Sequence, residues 1–239
     1  MQIMSAPPMV SIIIVNLNGV ALTESCIRSV CAHTARGTFE IVIVDNGSSP
    51  AEIEQLSRLS QGDITLIPLG RNLFFGEANN IGVEKARGEY VVLLNNDAEV
   101  TAGWLERLMA TLHGETAAGA VGPRFLYPDG RLQEAGAFIR PDGYSLQQGK
   151  AGTAPPSSFH ETPQPVDYCS AACLLMRRQH FLELGGFDPF YEPAYYEDVD
   201  LALRLRSIGL LTYYCGEAVV VHQENATSNA MWTCSVVTR

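Results

Sequence analysis

Basic residues are scarce in this sequence, with 16 Lys and Arg against 26 Asp and Glu, and the net charge is −10. No cluster of them could offset a phosphate backbone, which argues against nucleic acid as a partner. An acidic chain that binds an anion needs a counter-charge, and a divalent cation is the usual one. No CxxC pair or zinc spacing occurs among Cys26, Cys31, Cys169, Cys173, Cys215 and Cys234. Most of them sit in apolar company and read as reduced core residues. No positively charged segment followed by an apolar run opens the chain between Met1 and Met9, so no secretory signal is expected. No apolar stretch approaches the roughly 20 residues of a membrane helix. The expectation is a cytoplasmic domain without a transmembrane segment, at work in solution or at the inner membrane face. Without a secretory route, the N-x-S/T triplets at Asn46 and Asn225 mean little. Also missing are GxGxxG after the first apolar run, GxxxxGK[ST] and GxSxG, which excludes the dinucleotide fingerprint, the P-loop and the hydrolase elbow. There is no internal repeat.

What is present is a globular composition, 46% hydrophobic over 239 residues, enough for one sizeable α/β domain. Short β-branched runs at Val10 to Val15, Ile41 to Val44 and Tyr90 to Leu94 predict buried parallel strands. Helical spacing separates them. Leu22, Cys26, Ile27 and Val30 share one face, and Ala78, Ile81 and Lys85 share another less cleanly. Thr101 is placed to cap a helix with the face Trp104, Leu105, Leu108, Met109 and Leu112, stopped by Gly114. Strands alternating with helices predict a mostly parallel, Rossmann-like sheet with helices on both faces. In the second half, Pro128-Asp129-Gly130 predicts a turn between extended segments over Pro123 to Ala137. Residues 141–165, rich in Gly, Pro and Ser, read as a long loop or flap, and Val166 to Met176 as a strand. Glu197 to Ser207 fits strand alternation and helical spacing; acids at its start and Gly209 at its end favour the helix.

In open parallel sheets, ligands bind beyond the carboxyl ends of the strands. The three first-half runs end in polar residues: Asn16 and Asn18, then Asp45 and Asn46, then Asn95, Asn96 and Asp97. One such ending is a strand reaching solvent; three together predict a shared crevice. Carboxylates and a hard cation, Mn²⁺ or Mg²⁺, suit a diphosphate ligand.

The segments VSIIIVNLNG, IVIVDNGSS, RNLFFGEANNIG, GEYVVLLNNDAEV, LELGGFDPFYEPAYYEDVDLALR and VVVHQENATS occur in that order over residues 10–228. Together they resemble the family 2 glycosyltransferases, in particular the rhamnosyltransferase-like branch. The resemblance implies one GT-A domain over 1–239, with a nucleotide-sugar half at 10–125 and an acceptor half at 126–239. It further implies a nucleotide diphosphate sugar donor, UDP- or dTDP-linked, a saccharide or lipid-linked acceptor, and a divalent cation. A homodimer is compatible with it.

Residue by residue, Asn95-Asn96-Asp97 matches the family's D-x-D motif, with Asn95 in place of the first acid and Asp97 as the metal carboxylate. Val15, Asn16, Asn18, Asp45, Asn72, Asn79, Asn95 and Asn96 fall on the nucleotide-sugar side. Asp45 matches the acid that accepts from a base N–H; the alternative is an Asx turn before Gly47. Gly76 and Gly82 suit close approach of backbone to ligand. Phe74 stands where a small residue is usual, and Glu77 where small residues are frequent, which leaves the donor sugar open. Glu197-Asp198 matches the ED motif, with Asp198 as the general base and Glu197 and Asp200 on the acceptor side; the alternative is acids steadying a helix N-terminus. His222 matches the late histidine of the metal site, against a purely structural strand end. Pro128-Asp129-Gly130-Arg131-Leu132-Gln133 resembles a segment frequent in the same branch, with no chemistry assigned to it.

The expected reaction is transfer with inversion at the anomeric carbon. Two rivals remain. A non-catalytic nucleotide-sugar or glycan-binding module on the same fold is suggested because the chain ends soon after His222, where similar proteins continue. A nucleotidyltransferase is disfavoured because Asn16-Leu17-Asn18-Gly19 lacks the basic residue of its opening loop.

Overall fold

A computed structural model describes residues 9–150 and 155–224. Met1 to Pro8, Asn225 and Cys234 lie outside the described residues, as do positions 151–154 of the expected flap and the end of the last motif.

The chain runs β1 (Val10–Asn16), α1 (Val20–His33), β2 (Phe39–Asp45), α2 (Pro50–Leu59), β3 (Ile64–Pro68), α3 (Phe74–Lys85), β4 (Tyr90–Leu94), β5 (Ala98–Val100), α4 (Trp104–Gly114) and β6 (Ala118–Leu126). It continues through β7 (Leu132–Glu134), β8 (Ala137–Ile139), β9 (Ser145–Gln147), β10 (Gln164–Val166), β11 (Cys173–Arg177), α5 (Arg178–Glu183), α6 (Glu197–Ser207) and β12 (Leu211–His222). The main sheet has the order β10-β12-β6-β11-β4-β1-β2-β3, with β5 on β12 and β7 on β6. The architecture is the expected α/β one, a mostly parallel sheet with helices on both faces. β1 pairs in parallel with β2 and β4, β2 with β3, and β6 with β12. β5, β7, β10 and β11 add antiparallel partners.

The period of two along each strand builds two cores. Ile12 and Ile14 pack with Cys26, Ile27 and Val30 of α1, Leu56 of α2, and Trp104 and Leu108 of α4. Ile13 packs on the opposite side with Ala78 and Val83 of α3, Phe181 of α5, and Leu201 and Leu205 of α6. Because both faces are covered, these strands read as continuous apolar runs. The chain moves outward from β1 to β2 and β3, then returns to β4 on the other flank of β1. That reversal is a topological switch point, where a crevice opens beyond the strand ends.

Several local expectations change. Thr101 does not cap α4: Gly103 holds that position in the left-handed region at φ 73°, and the Thr101 hydroxyl donates to the Val219 carbonyl at 2.8 Å. The buried face of α3 is Ala78, Asn79, Gly82 and Val83 rather than Ala78, Ile81 and Lys85. A Cβ on Gly82 would stand 2.4 Å from Ile13 Cγ2, and one on Gly76 would stand 3.2 Å from Phe187 Cβ. These two glycines therefore admit neighbouring protein side chains. The 141–165 segment carries structure: β9 pairs with β8, residues Ser157–His160 form a 3-10 turn, and β10 joins β12. Val166 to Met176 is not one strand; β10 ends at Val166 and β11 starts at Cys173. The 128–130 turn forms as expected, with Gly130 N–H donating to the Tyr127 carbonyl at 2.8 Å between β6 and β7. Glu197–Ser207 is a helix.

Candidate active site

At the switch point lies a cavity of about 420 Å³. Its wall includes Val15 and Leu17 after β1, Asn95, Asn96 and Asp97 after β4, Glu197 and Asp198 at the start of α6, and His222 at the end of β12. The carboxylates of Asp97 and Asp198, a hundred residues apart in sequence, therefore face one space.

Strand pairing brings them there. β5 lies antiparallel to β12 with Ala98 opposite His222, and Gln223 N–H donates to the Asp97 carbonyl at 3.1 Å. Asp97 and His222 thus meet, with His222 Nε2 3.1 Å from Asp97 Oδ1. Asn95 Nδ2 lies 3.3 Å from the same ring nitrogen. On the other flank, β11 beside β4 places Ala172 next to Asn95, whose N–H donates to the Ala172 carbonyl at 2.9 Å. Ala171 N–H donates to Asp198 Oδ2 at 3.4 Å, and Val199 N–H to Oδ1 at 2.8 Å.

Burial pushes the Asp198 carboxyl above its ordinary value, against the opposing pull of the Val199 and Ala171 N–H groups. Glu197 is raised to about 7, first by burial and then by the neighbouring Asp198 charge. One Glu197 carboxyl oxygen has no hydrogen-bond partner. Tyr195 and Tyr196, immediately before them, both sit in the left-handed region at φ 80° and 71°. For bulky side chains this is strain, of a kind that concentrates at functional sites.

Other site candidates lie elsewhere. Asp45 and Asn16 are fully buried, at 0% exposure. Asp45 accepts from Asn16 Nδ2 at 3.2 Å and from Ser48 N–H at 3.2 Å, while Asn16 Oδ1 accepts from Thr23 at 2.8 Å. The pair locks the ends of β1 and β2 together and is not part of the cavity wall. The Asp45 bond reaches the Ser48 N–H, three residues on, and not the Gly47 N–H that an Asx turn would use. Asn18, at φ 50°, accepts from Ser49 N–H at 2.9 Å and so holds the N-cap of α2. Asn72 accepts from Asn46 Nδ2 at 3.0 Å and from Phe74 N–H at 2.8 Å, which steadies Phe74 at φ 63°. Asn79 donates to the Phe75 carbonyl within α3 at 2.9 Å. Asp200 faces Arg204 at 2.6 Å, and Arg204 in turn donates to the Leu184 and Gly186 carbonyls. Neither Asn18, Asn72, Asn79 nor Asp200 lines the cavity.

Asn46, one of the polar strand ends expected at the crevice, lines the cavity, which also contains residues not anticipated as site residues: Phe75, Ser145, Gln147, Lys150 and Tyr168. Ser145 and Gln147 arrive on β9, inside the segment read as a loop, so no periodic signal marked them. Lys150 is the one Lys or Arg among the described lining residues, and it pairs with Glu224 at 2.5 Å. Behind the wall, buried Glu134 accepts from Ser170 N–H at 3.0 Å and from Gln147 Nε2 at 2.8 Å. Its carboxyl is raised to about 7, chiefly by burial.

The Asp97–His222 corner has the donor chemistry of a small cation site, one carboxylate and one imidazole. Two such donors about 2.1 Å from one ion, at right angles, stand about 3 Å apart, in keeping with the 3.1 Å observed. Among the described residues, no cluster of three or more His, Cys, Asp or Glu side chains is arranged for a metal. A cation held here therefore relies on ligand oxygens and water for its other bonds, as Mg²⁺ sites on phosphates do.

The fold is that of the GT-A glycosyltransferases. A GalNAc-T7 structure with UDP, GalNAc and Mn²⁺ superposes with a TM-score of 0.75 at 19% identity, over 90% of this chain and 43% of that one. The Pyrobaculum calidifontis mannosyltransferase PcManGT, with GDP-Man and Mn²⁺, gives 0.66 at 19% identity over 95% and 60%. The sequence pattern of glycosyl transferase family 2 matches residues 11–185, and the chain belongs to that family. It is 32% identical over 234 residues to the Sinorhizobium fredii protein y4gI, covering 94% of this chain and 25% of that protein. It is 29% identical to the Myxococcus xanthus O-antigen biosynthesis protein RfbC, over 93% and 18%. A Mycobacterium tuberculosis N-acetylglucosaminyl-diphospho-decaprenol L-rhamnosyltransferase is 29% identical, over 84% and 71%. The chain thus spans a quarter or less of the first two of these relatives. No described helix is long and apolar enough to cross a membrane.

Proposed function

We propose that this chain is an inverting, divalent-cation-dependent glycosyltransferase. It moves a sugar from a UDP- or dTDP-linked donor to a hydroxyl of a saccharide or lipid-linked acceptor. The observation that carries this reading is the shared cavity of Asp97 and Asp198. Asp198 takes the proton of the acceptor hydroxyl as that oxygen bonds to the anomeric carbon, and the bond from that carbon to the diphosphate oxygen breaks. A raised carboxyl is the stronger base once ionised, which suits the task. Attack from the face opposite the leaving group inverts the anomeric centre. Asp97 and His222 would hold the cation, and Asn95 and Asn96 border the same corner. When bound, a divalent ion there neutralises charge building on the leaving diphosphate. Lys150 is a second positive charge in the wall. The name of the Mycobacterium tuberculosis relative supports rhamnose as the sugar.

A thermal-shift panel of UDP-, dTDP- and GDP-sugars, with and without Mn²⁺, tests the reading. Stabilisation by a UDP- or dTDP-sugar that requires Mn²⁺, followed by nucleoside diphosphate release with an acceptor, is expected. Donor binding with no product across an acceptor panel points instead to a binding module, and release of pyrophosphate to a nucleotidyltransferase.

A further inference from the structure

Gln133 closes the PDGRLQ segment and is buried, at 3% exposure, on β7. The turn at 128–130 folds β7 back along β6, the neighbour of β12, and this brings Gln133 against the end of β12. Its amide makes two contacts with one residue. Nε2 lies 3.2 Å from the His222 carbonyl, and Oε1 lies 2.9 Å from His222 Nδ1. A backbone carbonyl can only accept, so the NH₂ end of the amide must face it. The oxygen end is then fixed toward the ring, and since that oxygen can only accept, Nδ1 must carry a proton. In the neutral ring Nε2 is left with its lone pair, directed to the side where Asp97 Oδ1 and Asn95 Nδ2 lie.

We propose that Gln133 is a positioning residue: it sets the tautomer and ring orientation of His222, so that the Nε2 lone pair beside Asp97 is presented to a divalent cation. The inference rests on the reading of Asp97 and His222 as the cation corner. Asn95 Nδ2, 3.3 Å from Nε2, can donate to that lone pair in the metal-free corner, and a cation entering beside Asp97 takes its place without first displacing a proton from the ring. Phe125, whose ring centre is 5.6 Å from that of His222, packs against the imidazole. Partners that hold a ligating histidine in this way are worth about 10- to 100-fold in metal affinity.

The test uses the whole chain in two measurements. Nitrogen NMR of metal-free protein, with the His222 signal assigned by its loss in His222→Asn, should show the proton on Nδ1. Calorimetry should show Mn²⁺ binding about 10- to 100-fold weaker in Gln133→Met, which keeps the length but loses the acceptor. Gln133→Glu, which keeps an acceptor for Nδ1–H but loses the donor to the His222 carbonyl, should bind Mn²⁺ more tightly than Gln133→Met, a partial rescue that mere packing would not give. A proton on Nε2 in the metal-free wild type overturns the proposal, as does wild-type Mn²⁺ affinity in Gln133→Met. If the wild type has the Nδ1 proton yet binds no Mn²⁺ with or without UDP, the cation reading itself fails, and Gln133 has no role toward a metal.

Discussion

Two polar corners end the central strands, and they are built to opposite purposes. At the ends of β1 and β2, Asn16, Asp45 and Ser48 satisfy one another, and both Asp45 and Asn16 are sealed from solvent. At the ends of β4 and β12, Asn95, Asp97 and His222 border a cavity, with His222 Nε2 3.1 Å from Asp97 Oδ1 and 3.3 Å from Asn95 Nδ2. The same signature, an apolar run stopped by Asn or Asp, precedes both. An internally saturated cluster fixes backbone and contributes stability. A cluster that borders open space keeps atoms within reach of a ligand.

Breaking the two corners in turn should separate catalysis from stability. The largest effect is expected in the open one. Asp198→Asn should keep donor binding and lower the transfer rate by about 10²- to 10⁴-fold, the usual contribution of a general base. Near-normal turnover in a steady-state assay would move the base to Glu197. Asp97→Ala should abolish the Mn²⁺-dependent part of donor binding in calorimetry while its melting temperature stays close to wild type. Unchanged affinity with Mn²⁺ would end its assignment as the metal carboxylate.

The sealed corner should behave in the reverse manner. Asp45→Ala leaves Asn16 Nδ2 and Ser48 N–H short of an acceptor and should cost about 1–3 kcal/mol in denaturant unfolding. Donor affinity should change little; a selective loss of nucleotide binding at unchanged stability would return Asp45 to the ligand. A pH-dependent effect concerns Glu134, raised from 4.5 to about 7 by burial. A carboxyl raised on folding favours the native state most below its unfolded pKa, and that advantage disappears as pH rises through the folded one. Stability should therefore drop between about pH 4.5 and 7, by up to about 3 kcal/mol, and the drop should shrink in Glu134→Gln. Equal unfolding profiles for both proteins across that window would contradict it.

Much of the framework was legible because it rests on local chemistry. Tyr90–Leu94 and Glu197–Ser207 form over the expected residues, since a buried apolar run and an acid-led amphipathic helix each carry their own period. The miss at Thr101 has a local cause as well: Gly103 turns the chain left-handed, and the Thr101 hydroxyl is taken by Val219. β9 was not legible, because a three-residue hairpin strand in a Gly- and Pro-rich stretch shows no period. Its side chains Ser145 and Gln147 nonetheless reach the cavity. The segment ending in Gln133 was noticed without a role, and Glu134 was not noticed, since each acts through partners distant in sequence.

Taken alone, the sequence determined the α/β class, the strands β1, β2 and β4, the helices α1, α4 and α6, and the residue types able to serve a diphosphate and a cation. Period and composition are local properties, and they suffice for that. Only the tertiary structure decided which carboxylates stay open. Pairing of β5 with β12 joined Asp97 to His222, the seat of β11 beside β4 drew Asp198 toward them, and hydrogen bonds closed Asp45 and Asn16 away. Whether a polar side chain is satisfied from within depends on neighbours that only the folded chain supplies.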